Sequence, residues 1–134
     1  MHNKRMLLAV SAAVLGLAAM ADTTLTVAKT GNDAAAAADP SLPFLTVGAA
    51  NAKASEIVAS NPGERVTISV GAGDYQLTGS LAPAAGVSVI GAGPAVTSLI
   101  GNPGGTALGQ PLVTLASATS TVSGLMISNN TSSV

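Results

Sequence analysis

Arg65-Val-Thr-Ile-Ser-Val-Gly-Ala-Gly-Asp-Tyr75 is the stretch on which the reading of this chain turns. Val66, Ile68 and Val70 alternate with Thr67 and Ser69, and the run stops on Gly71 and Gly73. Strict alternation of β-branched residues predicts a short strand with one buried face, closed by a glycine turn. A second run of the same kind, Val87-Ser-Val-Ile90, also ends in Gly-Ala-Gly, and Val113 to Leu115 offers a third. Further short strands are expected at Tyr75–Leu77, Ser98–Ile100 and Leu125–Ser128. Recurrence at intervals in the twenties, in a glycine-rich chain, suggests a solenoid whose coils pair with one another. In that arrangement Val66, Ile68, Val70, Val87, Val89, Val113, Leu115, Leu125 and Ile127 stack inward. Thr67, Ser69, Ser88 and Thr114 face out. An antiparallel sandwich, whose strands also recur at short intervals, is the alternative.

Upstream of these strands, Asp22 to Lys29 alternates Leu25 and Val27 with threonines and reads as a first strand. Gly31 to Pro43 contains an alanine run, Ala34–Ala38, too short to nucleate a helix alone, so a surface loop with at most a helical turn is expected. Thr46 to Ser60 is the credible helix. Val47, Ala50, Ala54, Ile57 and Val58 fall on one face, Thr46 can cap the start, and Asn61-Pro62-Gly63 stops it.

The N-terminus carries a different message. Met1-His-Asn-Lys-Arg5 is basic, Met6 to Ala21 is apolar, and Ala19-Met20-Ala21 is a small-x-small site. These three features make residues 1–21 a secretory signal peptide rather than a membrane anchor, because the run is short of the ~20 residues a bilayer needs. A secreted or cell-surface location follows. Cleavage after Ala21 leaves residues 22–134, enough for one small domain. It also removes His2, the single histidine, and leaves Lys29, Lys53 and Arg65 against six acidic residues. A net charge of about −3 without a basic cluster argues against nucleic acid as a partner.

Chemistry is sparse in what remains. From Tyr75 to Val134 there is no Asp, Glu, Lys, Arg or His. Acid–base catalysis needs a titratable group within hydrogen-bond reach of the substrate. Serines without a histidine cannot form a Ser-His-Asp triad. Glu64-Arg65 reads as a solvated turn pair and Asp74 as a turn-stabilising residue, since a Ca²⁺ site favours several oxygens and more than one carboxylate. Gly71-Ala-Gly73 and Gly91-Ala-Gly-Pro94 lack the third glycine and helix start of a dinucleotide loop, and Gly101-Asn-Pro-Gly-Gly105 lacks the Lys-Ser/Thr of a phosphate loop. No residue is assigned as catalytic, cofactor-binding or metal-ligating, and no nucleotide is expected.

Several segments together resemble the pectin lyase-like right-handed parallel β-helix proteins. They are Val27-Ala-Lys-Thr-Gly-Asn-Asp33, Pro43-Phe-Leu-Thr46 leading into an alanine-rich helix, and Arg65 to Tyr75. Val87-Ser-Val-Ile-Gly-Ala-Gly93, Thr97-Ser-Leu-Ile100 and Val122-Ser-Gly-Leu-Met-Ile-Ser-Asn129 continue the series. The resemblance implies an all-β right-handed parallel β-helix with one N-terminal capping helix. Residues 22–64 would form the cap, and 65–134 the first coils of a chain cut short at its C-terminus. It also implies a carbohydrate-related role, either as part of a polysaccharide-active protein or as a non-enzymatic, adhesin-type surface protein. The partner it implies is polysaccharide or cell-surface glycan. The expected uncapped coil would also favour self-association.

Overall fold

The computed structural model describes residues 22–101, 112–115 and 117–129. The signal peptide expected at 1–21 and the glycine-rich stretch after Gly101 lie outside them. Among these residues, seven strands and two helices follow one another. They are β1 (Asp22–Val27), α1 (Asp33–Ala38), α2 (Val47–Ser60), β2 (Arg65–Val70), β3 (Gly73–Leu77), β4 (Val87–Gly91), β5 (Thr97–Gly101), β6 (Thr121–Ser123) and β7 (Met126–Asn129).

Every strand pairing is parallel. One sheet has the order β1-β2-β4-β6 and the other β3-β5-β7, so from β2 onward the chain deals its strands alternately to the two sheets. Register is one-to-one: Leu25 lies beside Ile68, Ile68 beside Val89, and Val89 beside Val122. In the second sheet Tyr75 lies beside Leu99, and Leu99 beside Ile127. The period-2 pattern of the quoted stretch explains the orientation. Val66, Ile68 and Val70 are buried, while Arg65 and Ser69 are exposed.

The expected all-β right-handed parallel β-helix does not form. Two helices stand beside two small all-parallel sheets, and the strands do not close into a solenoid, which makes the arrangement α/β in type. Two features prevent closure. The segment between β3 and β4, which would have to supply a third ladder, forms among the described residues a single β-bridge, Leu81–Val113. The first strand is followed by two helices instead of a strand for the second sheet.

Both helices are set by capping. The Asn32 side chain accepts from the Ala35 N–H at 3.0 Å, so the alanine run forms the six-residue α1 where a surface loop with at most a helical turn was expected. Its cap supplies what propensity alone could not. Thr46 caps α2 by accepting from the Ala49 N–H at 3.3 Å, and Asn61 ends it. Asp33 then joins the two starts. Its carboxylate accepts from the Leu45 N–H at 2.8 Å, the Thr46 N–H at 3.0 Å and the Thr46 hydroxyl at 2.8 Å.

The core lies between the sheets and α2. Val47, Ala50 and Ala54 of the helix pack with Leu25, Val27, Ile68 and Val89, with Tyr75, Leu77 and Leu99 contributing from the second sheet. Each buried Ile or Leu side chain contributes about 1.5–3 kcal/mol relative to exposure. Other strand expectations need correcting. Leu112–Leu115 is not a strand: Val113 makes one bridge, and Leu115 is half exposed. The strand that follows β4 in the sheet is Thr121–Ser123. Ile127 was expected inward but is 45% exposed.

Candidate functional site

Parallel one-to-one register puts side chains of equal position into ranks across a sheet. On the outward face of the four-stranded sheet, Thr24 lies beside Thr67, Thr67 beside Ser88, and Ser88 beside Thr121. Adjacent strands are ~4.8 Å apart, so these four hydroxyls form a row with that spacing. At one end of the first two strands, Asp22 and Arg65 are register partners. The row and this pair line a groove of about 640 Å³, walled on one side by Ala118 and Thr119.

None of the four hydroxyls, nor the Asp22 carboxylate or the Arg65 guanidinium, has a side-chain hydrogen-bond or ion-pair partner among the described residues. The one ion pair among those residues is Lys53 Nζ to Glu56 Oε1 at 3.3 Å, on the far side of α2. The groove therefore offers a set of donors and acceptors without side-chain partners among the described residues. Each hydroxyl can donate one bond and accept others, the guanidinium presents five N–H donors, and the carboxylate only accepts. Arg65 offers donors only, and Asp22 is the groove's single carboxylate. The arrangement suits recognition of a polyhydroxylated ligand better than proton transfer.

The residues weighed from sequence are dispersed. Glu64 is not a solvated turn partner of Arg65: its carboxylate accepts from the Thr23 hydroxyl and is partly buried. Arg65 opens β2 and stands exposed. Asp74 lies within β3 rather than in a turn, and its carbonyl accepts from Lys29 Nζ. The same Lys29 Nζ sits 4.8 Å from the centroid of the Tyr75 ring. Tyr75 is buried, and burial pushes its phenol above its ordinary value. This cluster is a clasp between β1 and β3. Among the described residues no group of three or more His, Cys, Asp or Glu could hold a metal ion.

Thr67 and Ser88 were legible as outward positions. Thr24, Thr121 and Asp22 were not legible as their neighbours, because nothing in the sequence states the register. Comparison with protein-family models, with curated proteins and with solved structures finds no match for this chain.

Proposed function

We propose that this chain is a non-enzymatic, exported glycan-binding module of the adhesin kind, and that the groove across the four-stranded sheet is its contact face. The observation that carries this reading is the row Thr24, Thr67, Ser88 and Thr121, ended by Asp22 and Arg65, none with a side-chain partner among the described residues. Sugar hydroxyls need both donors and acceptors, and a preformed row supplies them without ordering flexible side chains first. Arg65 adds a fork matched to a carboxylate, which fits an acidic sugar. The signal-like N-terminus and the resemblance to pectin lyase-like proteins both support a polysaccharide partner outside the cell.

The test is affinity electrophoresis of the purified protein through gels containing polygalacturonate or a neutral glucan. Retardation by the polyuronate is expected, with Arg65→Ala weakening it about tenfold or more, the size of a lost charge-assisted bond. Thr67→Val with Ser88→Ala should weaken it as well. Unretarded migration in both gels overturns the binding reading. Cleavage or de-esterification of the polymer by the purified protein overturns the non-enzymatic reading.

A further inference from the structure

The groove on the four-stranded sheet does not end at Arg65. Arg65, Gly86 and Thr119 line it, and the same three residues line a second cleft of about 560 Å³ that reaches the last turns of α2. That volume falls within the range of ligand sites. Hydrogen bonds hold the junction in place. The Gly86 carbonyl accepts from the Val66 N–H at 3.0 Å, and the Gly86 N–H donates to the Thr119 hydroxyl at 3.0 Å. The lining changes character across it. Beyond the junction Val58, Ala59, Pro62, Ala84 and Ala85 form an aliphatic wall, with Val58 and Ala84 half-buried and the others exposed. The charged residues of the cleft, Glu64 and Arg65, are consecutive at the start of β2, and the Glu64 carboxylate is already engaged by the Thr23 hydroxyl. A polar groove thus runs directly into an apolar one, with the Arg65 guanidinium between them.

We propose that groove and cleft together bind one amphipathic saccharide, an acidic sugar on the hydroxyl row whose attached alkyl or acyl chain lies in the apolar cleft. This rests on the glycan reading of the groove and adds the class of ligand to it: a uronic acid bearing a hydrocarbon chain. Continuity carries the inference. One molecule crossing Arg65, Gly86 and Thr119 meets hydroxyls on one side, aliphatic carbon on the other and a carboxylate-matched fork at the crossing. A hydrocarbon chain asks only for apolar surface to cover, and each methylene that enters the cleft tightens binding about fourfold. A protein partner fits less well. Specific interfaces bury about 800 Å² on each side around large anchors, whereas the aliphatic wall here is alanine, valine and proline.

The experiment is an NMR titration of the ¹⁵N-labelled protein with methyl β-D-glucuronide and, separately, octyl β-D-glucuronide kept below its micelle concentration. Both should shift the groove amides of Thr67 and Ser88. The octyl compound should also shift Ala59, Gly63 and Ala85 and bind about tenfold tighter or more, the gain of two buried methylenes. Ala59→Gln places a bulky, neutral, polar side chain in the cleft from an exposed position near the end of α2, and glutamine is a good helix former. It should fold, keep the methyl glucuronide shifts and abolish the octyl advantage. Octyl binding no tighter than methyl binding overturns the proposal while leaving the groove reading intact. An octyl advantage that survives Ala59→Gln also overturns it, because the chain then lies elsewhere. Shifts at the cleft amides alone would show that the chain binds without its sugar, and the single amphipathic ligand falls. Silence from both glucuronides, together with unretarded migration in polygalacturonate, overturns the groove reading itself and this inference with it.

Discussion

At the scale of single residues, Gly31 and Gly48 make an instructive contrast. A Cβ at Gly31 would fall 2.2 Å from the Phe44 carbonyl oxygen, a backbone atom that cannot yield, while one at Gly48 would meet nothing. The close approach at Gly31 exists because Phe44 pairs with the end of β1: its N–H donates to the Thr26 carbonyl at 2.8 Å, and its carbonyl accepts from Ala28 N–H at 2.9 Å. Gly31→Ala should therefore cost about 1–3 kcal/mol, as overpacking does. Gly48→Ala should be neutral or stabilise by up to about 1 kcal/mol through helix propensity. Urea melts of both variants check the pair, and equal effects would remove the steric argument. Asp33 sets a pH dependence at the same scale. Partial burial pushes its carboxyl upward, but bonds from the Thr46 N–H, the Thr46 hydroxyl and the Leu45 N–H outweigh this and hold it below the ordinary value. A lowered folded value means the unfolded chain binds the proton more readily, so stability rises with pH across that window. The contribution should be complete above about pH 5. It should fall away as pH drops through the unfolded value of about 3.9 and then the lower folded one. Melting temperatures of wild type and Asp33→Ala measured from pH 6 to pH 3 should converge at the acid end; parallel curves would show that Asp33 is not the cause.

At the scale of elements, β2 is the strand on which the others depend. It pairs with β1 on one side and β4 on the other, and it packs under α2. Ile68 sits in its middle, fully buried between Leu25 and Val89. Ile68→Ala should cost about 2–5 kcal/mol. Ile127, of the same residue type and also in register within a sheet, is 45% exposed in β7. Ile127→Ala should stay near the ±0.5 kcal/mol of ordinary surface changes. Chemical denaturation of the two variants decides it, and comparable losses would mean that β7 is as well packed as β2. The same contrast explains what was legible in the sequence. Val66, Ile68 and Val70 were readable because alternation and burial coincide there. Thr121-Val-Ser123 was missed because three residues with one apolar position give no periodicity to detect. Leu112–Leu115 was misread because composition alone resembles a strand, whereas the segment finds only the Leu81–Val113 bridge. The alanine run was misread because propensity was weighed without the cap that Asn32 provides. The groove's row of hydroxyls depends wholly on register.

For the molecule as a whole, the distribution of buried side chains is uneven along the stacking direction. The buried hydrophobic residues come from β1 through β5, the two helices, Phe44 and Leu81, and none belongs to β6 or β7. Val122 is only partly buried against the core, Met126 and Ile127 are about half exposed, and Leu115 is 50% exposed. Local opening free energy tracks buried apolar contact and the protection of backbone hydrogen bonds. The end of each sheet formed by β6 and β7 should thus open without disturbing β1, β2 and β4 under α2. The hydroxyl row bears on this, because it spans from protected β1 to the looser β6. Native-state amide hydrogen exchange should show the slowest rates at Leu25, Ile68 and Val89, and rates at Val122 and Ile127 faster by several orders of magnitude. A glycan lying across the whole row would tie β6 to β1, since binding to the native state alone stabilises every element that must be formed for binding. Saturating polygalacturonate should therefore slow exchange at Val122 more than at Ile127, which lies on the other sheet. Equal slowing at both positions would place the ligand elsewhere, and uniform protection in the free protein would show that the fold opens as one unit.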